Sequence, residues 1–180
     1  MDDELILVRE VYGEIIPRQV FYGKETISIL DTRITCILED NRKFYLERVP
    51  PDIVWSLKRI NGEKLNDDRE RFVDILLSIP DVISVLGKYL KRIVIDNIDE
   101  RTGTYSATVE FGDGSIVVKR KMVPSHAIFL AKLTNKPIYV RKELVDQQEI
   151  LYNLLDEFQE DVNEYESETT WLDDEEHEEL

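Results

Sequence analysis

The chain has 180 residues, 42 % of them hydrophobic, with a formal net charge of −15 and a single cysteine. That length accommodates one domain with a hydrophobic core plus a tail, and the composition is that of a globular protein. Cys36 alone excludes an intramolecular disulfide and a multi-cysteine zinc site. No apolar run approaches the ~20 residues of a bilayer span, and the acidic start Met1-Asp2-Asp3-Glu4 is unlike a signal peptide, so the expected location is cytoplasmic, with no membrane partner.

Glu4 to Glu10 and Gln19 to Tyr22 are β-rich, and Thr26 to Leu30 and Arg33 to Leu38 continue in that style. Asp31-Thr32 reads as a turn, and Glu39 to Arg42 as a second one before Lys43 to Leu46, which together predict an antiparallel meander. Cys36 falls in the fourth of these strands and reads as a small buried hydrophobe. Pro50-Pro51-Asp52 opens a helix that ends at Asn61-Gly62, with Ile53, Val54, Leu57 and Ile60 as its apolar stripe. Asn66-Asp67-Asp68 caps the next helix, with Asp67 and Glu70 at capping-box spacing. Phe72, Ile75, Leu76 and Ile79 are its expected inward face. Pro80 breaks the run, and Asp81 begins a short helix through Val82, Val85 and Leu86.

Lys91 to Ile98 is a strand, and Thr104 to Phe111 and Ser115 to Lys121 form a hairpin around Gly112-Asp113-Gly114. Ser125 to Leu133 is a helix whose Ala127 and Ala131 permit close approach to the sheet. Pro137 to Val140 is a further strand. A last helix from about Lys142 to Val162 carries Leu144, Leu151, Leu154, Leu155 and Phe158 on one side. The expected fold class is α+β, a mixed and mostly antiparallel sheet with helices packed on it. Two sections of helices followed by strands suggest a duplicated unit.

Charge is unevenly placed. Leu151 to Leu180 holds 13 acidic residues and no Lys or Arg, leaving 25 acidic against 23 basic in 1–150. The expected division is a domain over 1–145, a C-terminal helix over 146–162 and an acidic, disordered tail over 163–180. The tail reads either as a solubilising end or as a polyanion that competes with nucleic acid or docks a basic partner. Trp171-Leu172 within it favours docking. His177 falls in the tail and reads as solvent-facing.

Gly103-Thr104-Tyr105-Ser106-Ala107, Val117 through Pro124-Ser125-His126-Ala127-Ile128, and Pro137-Ile138-Tyr139-Val140 resemble the bifunctional nuclease (BFN) family. Its members carry Gly-Thr-aromatic-x-Ala, Arg-Pro-Ser-Asp-Ala-Ile and Pro-Ile-aromatic-Val in that order. The likeness spans roughly Glu4 to Val145. It implies an α+β fold, a homo-oligomer with a dimer favoured, and a nuclease acting on DNA and RNA, and it brings no established catalytic set. Val123 stands where members have Arg and His126 where they have Asp. Asp52 lies opposite the acid of Gly-x-x-Glu, and Phe72-Val73-Asp74 opposite Thr-His-Asp. Asn97 replaces an Asp, with Asp96 beside it. The chain thus reads as a divergent member.

Carboxylates that hold Mg²⁺ or Mn²⁺ to polarise phosphate and activate water are the chemistry of many nucleases. Asp52, Asp74 and Asp96 are the candidate ligands, with Asp99 as a spare. Asp52 also suits a helix N-terminus, and Asp99 a turn. Asp52, Asp74, Ser125 and His126 are the candidate catalytic residues. His126, in the first turn of a helix, suits a neutral general base or a surface position, and Ser125 reads most simply as the helix N-cap. Lys88, Lys91, Arg92, Lys119 and Lys121 are the candidate phosphate-binding residues, joined by Lys132, Lys136, Arg141 and Lys142 if these gather on one side, whereas Arg120 alternates to the face opposite Lys119 and Lys121. Two functions stay open: a nuclease of low sequence preference, and a non-catalytic oligomeric module whose acidic tail contacts a basic partner.

Overall fold

The computed structural model describes residues 4–23 and 25–156. In chain order it comprises β1 (Leu5–Tyr22), β2 (Glu25–Leu38), β3 (Lys43–Glu47), α1 (Pro51–Ile60), α2 (Phe72–Leu77), α3 (Pro80–Tyr89), β4 (Leu90–Asp99), β5 (Thr104–Gly112), β6 (Val117–Met122), α4 (Pro124–Thr134) and β7 (Ile138–Arg141). A fifth helix, α5, covers 142–156. The chain divides into two compact units, Met1–Leu144 and Val145–Leu180. In the second unit, Leu151, Leu154 and Leu155 of α5 are exposed. Phe158, Trp171-Leu172, His177 and the expected acidic tail lie outside the described residues. No described helix is long and apolar enough to cross a membrane.

The first unit is α+β, as expected. Its seven strands form one sheet in the order β3-β2-β1-β7-β4-β5-β6. The β4–β7 pair is parallel, and every other neighbouring pair is antiparallel. Two antiparallel meanders, β1-β2-β3 and β4-β5-β6, thus run outward on either side of β7. Each is followed by a helix that proline opens, α1 after Val49-Pro50 and α4 at Pro124. The expected repeat of helices followed by strands takes the reverse order here, strands followed by a helix.

Three local expectations are corrected. The first meander contains two long strands, not four short ones, because Asp31-Thr32 continues β2. Asp31 pairs with Arg18 at 3.0 Å, while Thr32 is buried and its hydroxyl donates to the Val49 carbonyl. Tertiary partners thus satisfy two residues whose local chemistry favours a turn. The second helix starts later than its acid-rich prelude suggests. Arg71 precedes the first helical residue, and its backbone N–H donates to Asp74 Oδ2 at 2.9 Å, so Asp74 serves the role expected of the Asp67–Glu70 pair. Its inward residue is Val73, fully buried, whereas Phe72, Ile75 and Ile79 are exposed. Finally, α4 begins at Pro124 after Val123, with no side-chain cap, so Ser125 is its second residue and not its N-cap.

The inner face of the sheet and the helices share one core. Strand alternation sends Ile34, Cys36 and Phe44 from one meander and Ile93, Ile95, Ala107 and Val109 from the other to this face, all fully buried. Helices α1 and α4 answer with Val54, Leu57, Ala127, Ile128 and Ala131, equally buried. Ala127 and Ala131 provide the close approach that their spacing predicts. Gly13 of β1 does the same for α1, since a Cβ there would lie 2.8 Å from the Val54 carbonyl oxygen. The sheet curls around this core until Phe44 of β3 meets Tyr105 of β5 edge-on, with ring centroids 5.1 Å apart. Cys36 is buried as expected, and burial pushes its thiol up to about 12.

Candidate functional site

On the outer face of the sheet, the second meander carries a cluster of polar residues at alternate positions, with Val94 among them. On β4 these are Arg92 and Asp96, and on β5 Thr108 and Glu110, while Ile93, Ile95, Ala107 and Val109 point inward. Arg92 pairs in register with Glu110, and Glu110 with Lys119 of β6, which sets three ionic side chains in one row across three strands. Thr108 sits in the next row, opposite Lys121. Arg92, Asp96, Thr108, Glu110 and Lys119, with Leu5, Val94 and Arg141, line a cleft of about 220 Å³.

The row is tightly bonded. Arg92 Nε donates to Glu110 Oε2 at 2.7 Å and its Nη2 to Oε1 at 3.1 Å, a two-pronged contact that matches the planar guanidinium to the carboxylate. Lys119 Nζ lies 3.3 Å from the same Oε1. Arg92, followed by Lys119, holds the Glu110 carboxyl below its usual range against the opposing effect of burial, so it is ionised at neutral pH. The Arg92 guanidinium also stands over the Tyr139 ring, 5.9 Å from its centroid.

Asp96, on the outward parity of Arg92 and Val94, sits at an irregularity. The β4–β5 register slips by one between Ile95 and Asn97, so Asp96 is the extra residue of a β-bulge. Its Oδ2 accepts a 2.6 Å hydrogen bond from the Thr108 hydroxyl. The cleft therefore holds three cations, Arg92, Lys119 and Arg141, against two carboxylates, Asp96 and Glu110. An excess of positive charge beside a bonded carboxylate suits a phosphate-bearing ligand.

The expected site residues separate into three places. Arg92, Lys119 and Asp96 line the cleft, and Lys121 adjoins it on β6. Lys88 and Lys91 are exposed near one another outside it, with Lys91 Nζ 3.4 Å from the Lys88 carbonyl. Asp52 of α1 and Asp74 of α2 lie elsewhere, each paired with an arginine. Arg59 Nε donates to Asp74 Oδ1 at 2.6 Å, and Arg71 Nη1 lies 3.4 Å from Asp52 Oδ1. Arg59, followed by the Arg71 backbone N–H, holds the Asp74 carboxyl below its usual range. Arg71 also reaches Asp67 at 3.1 Å and stands over the Trp55 ring. On α4, Ser125 is buried and His126 exposed.

Asp52, Asp74 and Asp96 are thus not gathered into one ligand set. Among the described residues, no group of three His, Cys, Asp or Glu side chains is placed to hold a metal ion. Glu110 and Thr108 are functional candidates that sequence reasoning passes over. The signal they leave is polar character at alternate positions of a strand whose other positions are wholly apolar.

A bifunctional nuclease domain model matches residues 60–153, just over half of the chain, and the chain belongs to that family. The match contains every cleft residue except Leu5. No curated protein matches the sequence.

Proposed function

Starting from membership of the bifunctional nuclease family, we propose that this protein hydrolyses phosphodiester bonds of DNA and RNA with low sequence preference, using the outer-face cleft. The row Arg92–Glu110–Lys119 beside Asp96 carries the reading, because it lies within the family match and sets cations next to a carboxylate. A phosphate entering the cleft competes with Glu110 for Arg92 and Lys119, an exchange of one anion for another. Contacts of this kind read the backbone and not the bases, which accounts for low sequence preference.

Asp96 is the carboxylate assigned to the reacting end. Thr108 occupies one of its oxygens and fixes its orientation, leaving the other for an attacking water. Among the described residues Asp96 is the one cleft carboxylate that Arg92 and Lys119 do not hold, so Mg²⁺ or Mn²⁺, where used, arrives with the substrate phosphates. A second reading, a non-catalytic oligomeric module whose acidic C-terminal segment contacts a basic partner, draws support from the ion pairs that already occupy Glu110, Asp52 and Asp74.

The test is cleavage of single- and double-stranded DNA and RNA with Mg²⁺, Mn²⁺ or EDTA. It compares the full chain with Asp96→Asn and with an Asp52→Ala/Asp74→Ala variant. The expected result is cleavage by the full chain and by the double variant, and its loss in Asp96→Asn. Loss only in the double variant would move the chemistry to Asp52 and Asp74. No cleavage under any condition would leave the module.

A further inference from the structure

The first hairpin extends far beyond the sheet that anchors it. β3 covers β2 only from Arg33 to Ile37, and β7 covers β1 only from Leu5 to Leu7. The pairs from Ile16↔Asp31 to Tyr22↔Glu25 therefore form a two-stranded arm with no third strand among the described residues. Residues 17–21 and 25–30 are exposed on both faces of it, Phe21 to 76 % and Leu30 to 68 %. A bare two-stranded ribbon is marginal in water. One this apolar gains stability from a cover.

The two edges of the arm differ. That of β1 carries Pro17 and Arg18, residues that hinder strand addition. That of β2 reads Thr26-Ile27-Ser28-Ile29-Leu30, with neither proline nor charge and with strong β-propensity. The register sets Ile27 beside Val20 and Ile29 beside Arg18, so Ile16, Val20, Ile27 and Ile29 share one face. Pro17, Phe21 and Leu30 share the other.

We propose that this β2 edge pairs antiparallel with the same edge of a second copy, with the two-fold axis at Ser28, to make one four-stranded ribbon across a dimer. The sequence complements itself in that arrangement. Ile27 faces the partner's Ile29 and Ile29 the partner's Ile27, which closes a four-isoleucine cluster flanked by Val20 from each copy. On the opposite face Thr26 meets the partner's Leu30 beside Phe21. Glu25 faces the partner's Asp31, whose carboxylate Arg18 already holds at 3.0 Å. Seven paired residues span about 24 Å. Strand addition over that length, with side chains meeting on both faces, buries roughly 1,000 Å² in total, the lower end of specific interfaces. The dimer is accordingly moderate in strength, with a dissociation constant on the order of 10 µM.

The experiment is sedimentation velocity on the full chain from about 1 to 200 µM, a range that brackets that constant. The expected result is a shift from the 21.2 kDa monomer to twice that mass. Ile27→Lys/Ile29→Lys is expected to raise the dissociation constant at least tenfold, with thermal stability and far-UV circular dichroism of the domain retained. Ser28→Cys under mild oxidation is expected to give a covalent dimer. The unsubstituted chain gives none, because Cys36 is fully buried. Should the double-lysine variant misfold, the Ser28→Cys cross-link decides alone. A chain monomeric throughout, whatever else covers the arm, would overturn the proposal, as would a dimer that ignores both lysines or a Ser28→Cys protein that does not cross-link.

Discussion

Replacing Glu110 by Gln separates the structural and the functional roles of the cleft, because the two predict effects of opposite sign. Glu110 is buried, with a side chain 11 % exposed, and holds Arg92 and Lys119, whose side chains are 40 % and 65 % exposed. A charge-assisted hydrogen bond contributes about 1.5–3 kcal/mol when shielded. The exposure of both cations moves the pair well down that scale, to a loss of about 1–2 kcal/mol. For a chain of this size that lowers Tm by roughly 3–6 °C. Binding should move the other way. The substitution takes the cleft from one net positive charge to two and releases Arg92 and Lys119 from their internal anion.

One additional phosphate contact strengthens binding about three- to tenfold and steepens the log–log salt dependence by about 0.7–0.9. Fluorescence anisotropy with labelled single- and double-stranded oligonucleotides across a salt series reads both quantities, and a thermal melt reads the stability. The pH dependence adds an independent check. Glu110 has its carboxyl pulled below the ordinary value of 4.5, so its contribution to stability is fully present above that pH and fades as pH falls through the lowered value. In Glu110→Gln that part of the acid limb should flatten. A variant that melts lower by this amount, yet binds nucleic acid no better or worse, would refute the assignment of the cleft as the phosphate-binding surface.

Two further outcomes follow from the fold. Cys36, with a thiol raised to about 12 by burial, should remain unreactive toward a disulfide reagent at pH 8 in the native protein and react fully once urea unfolds it; native reactivity would contradict its place in the core. Gly13→Ala drives a Cβ to 2.8 Å from the Val54 carbonyl, and because that atom is backbone, α1 must shift. The expected loss is about 1–3 kcal/mol in urea denaturation, and a neutral result would mean that α1 does not pack on β1 at this point.

What the sequence reveals depends on how far each interaction reaches along the chain. The second meander, α4 and β7 are legible because alternation, glycine turns and proline starts are local signals, and they carry the family likeness as well. The misread places are those where a distant partner outweighs local chemistry. Asp31 and Thr32 are turn formers kept in a strand by Arg18 and Val49. In α2, six residues with apolar side chains on most sides offer no stripe, so the pattern could not single out Val73 over Phe72 as the buried one.

The cleft shows the same limit at its sharpest. Strand parity alone places Arg92, Thr108 and Glu110 on outward positions, but it does not say that Arg92 meets Glu110 across 18 residues, or that Lys119 meets it from the other side. That knowledge is register, and register here depends on two slips in β4, at Leu90/Arg92 and at Ile95/Asn97. The second also bears on the family likeness. The likeness looks for an acid at Asn97 and finds it one residue early. Strict alternation already turns Asp96 outward, since Ile93 and Ile95 point inward and Arg92 and Val94 share its parity. The bulge at this point leaves Asp96 unpaired and sets Asn97 opposite Ser106, and the Asp96 carboxylate lies beside Thr108 in the cleft. An acid one residue early in sequence thus stands on the outer face by strand parity, which makes Asp96 the residue on which the proposed chemistry stands or falls.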